Sequence, residues 1–459
     1  MGAKAVRPGE GFGVFLLAAN LFLLLATYYL LKTVREVLIL SAGGAELKTY
    51  AAAGQAVLLL AAVPLYGWLA SRWDRARLVT TVTLFFATHL VLFAAGNRLG
   101  VTIDVPFYLW LGIFNVVIVA QFWAFASDVY TESKGRRLFP IVGIGSSLGA
   151  LVGAGLSATL LASLGTSRVI LLAAMLLAVC AATSWVIHRH TRVALGAQAG
   201  PRPAAATAPI RGPGGFQLVF SDRYLLLVAV FVMLLNVVNT GGEFLLSKFV
   251  VAEAAKFAGP AAGAADATRE FIGSFYARYF TWVGVVGLLG QLFLVSRLFR
   301  RIGVAGALFV TPVIALGGYA LLAVVPLFGV LAATKLFENA ADYSIQNTAR
   351  HALFLSMGRD VKYKASQAIE TFFWRAGDLL QAGLVFLGAL LAFGVREYAL
   401  LFAGVAAVWL VVVTLVAREH SRRALGPVPQ PPARATARLR VDYAYRERLG
   451  TPVVANKAA

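Results

Sequence analysis

The alternation of apolar and polar positions cuts the chain into twelve apolar stretches, each about 20 residues long. At about 1.5 Å per helical residue, each can cross a hydrocarbon core of about 30 Å. The first six run Phe12–Leu40, Leu47–Ala70, Leu78–Ala95, Val105–Ser127, Pro140–Leu164 and Val169–His188. The second six run Tyr224–Val251, Phe271–Leu298, Val304–Val325, Leu327–Ile345, Ala365–Phe393 and Tyr398–Ala417. Between the sets, Thr191–Gly215 is rich in Ala, Gly and Pro without helical periodicity, and reads as a flexible linker. The pattern predicts an all-α membrane protein with two bundles of six, at 1–190 and 224–417, joined by a linker at 191–223. A basic tail follows at 418–459.

Polar residues interrupt these stretches in a non-random way. The first holds no ionisable side chain from Phe12 to Leu31, then meets Lys32, Arg35 and Glu36 before apolar residues resume at Val37. Tyr28, Lys32 and Arg35 share one helical face. Charges at this depth either snorkel to an interface or face a bundle interior. The apolar run beyond them favours the interior. Lys335, Glu338, Asn339 and Asp342 fall on one face of the tenth span, and Gln367, Glu370, Trp374, Asp378 and Gln381 on one face of the eleventh, with Arg375 nearby. Asn236, Asn239 and Glu243 mark the seventh span, and Tyr276, Arg278 and Tyr279 the eighth. So many polar groups on helix faces predict a wet central cavity between two halves. Mutual neutralisation of Lys335 by Glu338, or of Arg375 by Asp378, is the simpler alternative for those pairs.

Composition agrees with the pattern. Hydrophobic residues make up 59% of 459 and charged ones 14%, with a mean hydropathy of +0.78, which excludes an ordinary soluble domain. The single cysteine, Cys180, leaves no disulfide framework and no cysteine-based metal site. No cofactor, metal or catalytic residue is expected. The first apolar run is too long for a cleaved leader. The net charge of +20 invites a nucleic-acid reading, but its distribution argues otherwise. Of 41 Lys and Arg residues, 29 fall on the side holding both termini and seven on the opposite side. The positive-inside rule makes both termini cytoplasmic, and the basic tail then lies against an anionic inner leaflet.

The halves echo each other. Ser71-Arg72-Trp73-Asp74-Arg75 after the second span matches Ser296-Arg297-Leu298-Phe299-Arg300 after the eighth, and Asp128 and Arg136 align with Asp342 and Arg350. These last four are expected at a gate or bundle interface. Lys32-Thr33-Val34-Arg35-Glu36 aligns with Asn239-Thr240-Gly241-Gly242-Glu243. Six plus six spans with such repeats are marks of a major-facilitator-type transporter. Gly145, Gly149 and Gly153 form a small-residue stripe for close helix packing. Gly145-Ser146-Ser147-Leu148-Gly149 also matches the serine-hydrolase string, but no strand–turn–helix elbow or placed acid and histidine accompanies it.

Thr27-Tyr28-Tyr29-Leu30-Leu31-Lys32-Thr33-Val34-Arg35-Glu36, followed by Gly44-Ala45-Glu46-Leu47-Lys48-Thr49-Tyr50, resembles the opening of the ATP:ADP antiporter family of plastids and intracellular bacteria. Phe122-Trp123-Ala124-Phe125-Ala126 and Arg137-Leu138-Phe139-Pro140-Ile141-Val142-Gly143 extend the resemblance. It implies a major-facilitator-like fold and nucleotide exchange at a pocket of basic and acidic residues. By this resemblance the family's basic residue of helix one falls on Arg35, its helix-seven acid on Glu243, and a further lysine on Lys248. Two positions depart: the helix-four acid falls near Leu111, and the helix-eleven lysine on Asp378.

The expectation is a secondary transporter in a bacterial inner membrane, exchanging nucleotides or another phosphorylated anion. Lys32, Arg35, Glu243, Arg278, Lys335, Glu338, Glu370, Arg375 and Asp378 are its candidate binding residues. The alternative is a transporter of the same fold for a lipid, drug or metabolite, with protons on Glu243, Glu338, Glu370 or Asp378. A bare scaffold is disfavoured by the in-span charges.

Overall fold

The computed structural model describes residues 10–73, 75–130, 132–195, 214–260, 263–354, 357 and 364–425. Among them every regular element is helical. In the first half these are α1 (Gly11–Arg72), α2 (Arg75–Arg98), α3 (Asp104–Val129), α4 (Glu132–Leu164) and α5 (Thr166–Leu195). The second half has α6 (Gly215–Ser221), α7 (Arg223–Ala258), α8 (Ala264–Leu289), α9 (Val295–Ala307) and α10 (Val310–Val324). It continues with α11 (Phe328–Ala341), α12 (Asn347–Ala352), α13 (Ser366–Ala368), α14 (Trp374–Leu390) and α15 (Val395–Leu425).

Eight of the described helical segments are long and apolar enough to cross a membrane. Two of them exceed one crossing by a wide margin. The 62 residues of α1 would extend about 93 Å if straight. They are instead broken at Gly43 and Gly44, where Gly44 takes the left-handed φ of 67° that an L side chain resists. The expected first and second spans are the two arms of this element. The expected eighth span lies in one segment of 44 residues, 264–307, broken at Gly303 with φ 69°, and the ninth begins at the end of that segment and continues as α10. Three π-type turns, Gly290–Leu294, Asp342–Gln346 and Ile369–Phe373, subdivide the helices of the second half. Such turns shorten the apolar helical runs on either side and re-aim side chains.

Apolar side chains gather in two clusters. One is drawn from α1 to α5, with Leu17, Leu31, Phe114, Leu138 and Leu177 at its centre. The other is drawn from α6 to α15, around Phe231, Tyr276, Tyr319 and Trp409, and also takes in Val37, Ile39 and Tyr108 of the first half. The glycine stripe of α4 lies against α1: a Cβ on Gly145, Gly149 or Gly153 would collide with the carbonyls of Ala18, Phe22 and Ala26. Backbone contact at this distance needs three glycines in register. The expected linker at 191–223 is partly helical. It holds the end of α5 and all of α6, whose Phe216 packs on Phe372. Residues 196–213 and 426–459, with most of the basic tail, lie outside the described residues.

Candidate functional site

A cavity of about 180 Å³ lies where α1, α3, α7, α8, α11 and α14 converge. Its wall includes Lys32, Arg35, Glu36, Lys48, Glu243 and Asn339. The first three come from the charged stretch of α1. Arg35 Nη2 is 2.5 Å from Glu36 Oε1, and its guanidinium carbon stands 4.6 Å from the Tyr108 ring centroid. The break at Gly43–Gly44 turns the chain back, so that Lys48 returns to the level of Glu36. Lys48 Nζ is 2.7 Å from Glu36 Oε2, 3.9 Å from Glu243 Oε2 and donates to Ser247 Oγ at 3.0 Å.

The opposing wall is built by α7 and α11. Lys335 is fully buried, and its Nζ donates to Glu338 Oε1 at 3.0 Å, to Asn239 Oδ1 at 2.8 Å and to the Asn239 carbonyl at 3.0 Å. It also lies 4.0 Å from Glu243 Oε1. Gly242 makes room for it, because a Cβ there would strike Tyr319 Oη and Lys335 Cδ. Tyr319 Oη donates to Glu338 Oε2 at 2.6 Å, and Asn339 Nδ2 donates to Glu243 Oε1 at 2.7 Å.

Charge therefore alternates in a single run: Arg35, Glu36, Lys48, Glu243, Lys335, Glu338. Taking ions out of water costs several kcal/mol each, and this run offsets that cost by giving every charge an opposite neighbour. Lys48 is the link between the two halves, since it touches a carboxylate of each. Lys32 stands outside the run. Its ammonium lies 4.1 Å from the Phe280 ring centroid and 5.3 Å from that of Tyr29, and among the described residues it has no carboxylate partner. With the run neutral, Lys32 leaves the cavity one positive charge in excess.

The remaining sequence candidates are dispersed. Arg375 Nη1 is 2.9 Å from Asp378 Oδ2, and Asp378 Oδ1 accepts from Asn236 Nδ2 at 2.7 Å, so this pair neutralises itself beside the cavity. Arg278 is exposed on α8 and donates Nε to the Ser274 carbonyl at 3.2 Å. Tyr276 and Phe280 face inward, and a residue two positions from each points to the opposite side of a helix. Glu370 lies away from the cavity lining: its Oε1 is 3.4 Å from both Arg350 Nε and His351 Nδ1. Of the gate candidates, Arg350 thus has a partner within its own half. Asp342 is buried in the π-type turn after α11, and Asp128 is exposed at the end of α3. The side chain of Arg136 lies outside the described residues.

Lys48 is the central residue that sequence reasoning passed over, and Glu36, named with the charged stretch of α1, is absent from the candidate binding residues. Lys48 stands at the very start of the second span and is counted with the seven cations of the side opposite the termini. The available signal was its position four residues beyond Gly44, on the inward turn of a new helix. A second cross-half contact, Lys248 Nζ to Glu46 Oε1 at 2.7 Å, lies at the same end of the bundle.

No family model matches the sequence. The fold is that of major-facilitator-type transporters. A bacterial homologue of the human lysosomal transporter Spinster, inward-facing and unoccupied, aligns with a TM-score of 0.63 over 92% of this chain and 100% of that one, at 12% identity. The nucleoside transporter NupG aligns with a TM-score of 0.58 over 87% and 98%, at 14% identity. The chain is accordingly an integral, multi-pass membrane protein, and its structural neighbours are transporters rather than enzymes. In sequence it resembles ADP,ATP carrier protein 1 of Chlamydia muridarum (strain MoPn / Nigg) and of Chlamydia trachomatis serovar D, at 24% identity over 319 residues in each case. That match takes in 59% of this chain and spans about half (56%) of the length of the carriers.

Proposed function

We propose that this protein is a secondary transporter that exchanges a phosphorylated anion, with nucleotides of the ATP/ADP type as the first candidates. It works by alternating access around the cavity between the halves. Lys32 carries this reading. It is a cavity-lining cation without a carboxylate partner among the described residues, set beside a charge run that is neutral without it. An ammonium in that setting offers a charge-assisted bond to a phosphate oxygen. Arg35 and Lys48 stand next to it and can share their donors when an anion enters. The ADP,ATP carriers supply the nucleotide part of the proposal.

In this reading the chain crosses the membrane twelve times, with the breaks at Gly43–Gly44 and Gly303 dividing the two longest segments. The halves are 1–190 and 224–417, and both termini are cytoplasmic in a bacterial inner membrane, on the strength of 29 basic residues against seven. The two cross-half ion pairs, Lys48–Glu243 and Lys248–Glu46, then hold the outer end shut and must part when that end opens.

A second reading is favoured by the cavity itself. Its volume of about 180 Å³ lies below the range of about 300–1,000 Å³ usual for drug-sized ligands, and Asp378 holds Arg375 in a pair. Both features fit a smaller anion of lower charge. Uptake into proteoliposomes from a panel of nucleotides, sugar phosphates and inorganic phosphate, with and without a pH gradient, tests the two together. Exchange of ATP against ADP supports the first reading. Exchange confined to small phosphates supports the second, and transport of neutral solutes alone overturns both.

A further inference from the structure

Outside the central site, a cleft with a volume of about 980 Å³ lies at the end where α2 and α4 finish and α5 and α8 begin. Arg98, Arg168 and Arg269 stand around it. The hydrogen bond from Asn97 Nδ2 to Ser167 Oγ, 2.7 Å, ties the end of α2 to the start of α5, which sets the neighbouring Arg98 and Arg168 on one rim. Neither arginine has a carboxylate partner among the described residues. Arg269, on the facing rim, makes a 3.5 Å contact with an exposed Asp266 and is also close enough to Asp104 to interact with its carboxylate. Gly165 to Arg168, the opening of the 30-residue α5, also line the cleft, and that first turn carries no acid. The positive end of the helix dipole thus adds to the guanidinium charge. Glu270 is the remaining acid on the lining.

The floor is apolar and closed. Val37 of α1, Leu161 of α4 and Gly273 of α8 meet there, and a Cβ on Gly273 would come within 3.3 Å of Val37 and 3.4 Å of Leu161. Val37 directly follows Glu36, so the cleft and the central cavity lie on either side of this contact.

We propose that this cleft is a second, separate binding site for a phosphoryl group, held by Arg98 and Arg168 on one rim and Arg269 on the other. Planar guanidinium groups match phosphate oxygens two at a time, and three of them, from α2, α5 and α8, line this one cleft. The phosphoryl group belongs either to a water-soluble solute or to an anionic phospholipid head group whose chain follows the apolar floor. The site is independent of what the central cavity carries.

The test uses the full chain in nanodiscs and inorganic pyrophosphate as the soluble probe. Binding is measured by calorimetry for wild type, Arg98→Gln/Arg168→Gln and Lys32→Gln, with monodispersity and melting temperature checked for each. In phosphatidylcholine discs, the double arginine variant should bind pyrophosphate about a hundredfold more weakly at this site, since two charge-assisted bonds are lost, while Lys32→Gln retains it. In discs containing phosphatidylglycerol, native mass spectrometry should show retained lipid in wild type and its loss in the arginine variant if the head group is the source. Either signal, removed by the arginine variant, supports the site and names its ligand. If pyrophosphate and lipid retention are both unchanged in Arg98→Gln/Arg168→Gln, the proposal is overturned. Should Lys32→Gln alone abolish binding, the outer site is refuted and the central one stands.

Discussion

Lys48→Met probes the charge run at its weakest joint. The substitution keeps the length of the side chain and removes an ammonium that is 2.7 Å from Glu36, 3.9 Å from Glu243 and 3.0 Å from Ser247 Oγ. Glu36, 1% exposed, is left with Arg35 alone. Deleting one member of a buried pair costs about 3–5 kcal/mol, because the surviving charge stays desolvated. Arg35 still stands beside Glu36, so the lower end, about 3 kcal/mol, is expected. Lys248→Met is the control. Its pair with Glu46 is as short, 2.7 Å, but the two side chains are 30% and 40% exposed. Pairs this open to water contribute about 0–1 kcal/mol. Equilibrium unfolding in mixed micelles, followed by tryptophan fluorescence, separates the two. Glu36→Gln added to Lys48→Met should recover part of the loss, with a coupling of about 0.5–3 kcal/mol. Equal losses for the two lysines, or a loss below about 1 kcal/mol for Lys48→Met, would refute a buried run joined through Lys48.

Three further outcomes follow from the same geometry. Cysteines at Glu46 and Lys248, joined by a cleavable bifunctional thiol reagent that spans the former side-chain pair, should arrest exchange in proteoliposomes and release it on cleavage; exchange at the wild-type rate while cross-linked would show that this end need not open. Gly149→Val should abolish folded protein in detergent extracts, since its Cβ meets the Phe22 carbonyl, whereas Gly143→Val, with open space around it, should not. At the junction of α6 and α7, burial raises the Asp222 carboxyl, but hydrogen bonds from Arg423 and the Tyr224 amide outweigh it and hold the group below the ordinary carboxylate range. A carboxylate so lowered adds stability above its unfolded pKa of about 3.9 and loses it as pH falls through the lower folded value. The pair is a third exposed, so the gain is at most about 1 kcal/mol. The melting difference between wild type and Asp222→Asn should be present at pH 7 and shrink as pH falls below about 3.9; a constant difference would contradict the ion pair.

Much of this architecture was legible because membranes constrain sequence so strongly. Apolar runs of bilayer length mark the helices, and in-span charges mark the interior. The stretch from Lys32 to Glu36 pointed to an interior polar site, with Arg35 and Glu243 as the expected pair, whereas Glu36 and Glu243 meet across Lys48 in the structure. What escaped was direction and partnership. Arg278 and Tyr276 are two residues apart, and only the packed bundle decides which of them points inward. Lys48 follows a break in helical geometry that hydropathy treats as a loop, so its return to Glu36 is a property of the backbone turn at Gly44. The π-type turns at Asp342–Gln346 and Ile369–Phe373 rotate Arg350 and Glu370 towards each other, and residue spacing at 3.6 per turn does not register them.

The central claim is that Lys32 supplies the uncompensated charge that receives the phosphorylated substrate. Counterflow of radiolabelled ATP or ADP into proteoliposomes loaded with the same nucleotide, compared between wild type and Lys32→Gln at matched amounts of folded protein, measures it directly. Exchange in wild type that falls at least tenfold in Lys32→Gln, as expected for loss of one charge-assisted bond of about 1.5–3 kcal/mol, is the predicted result. Exchange that persists unchanged in Lys32→Gln would contradict it.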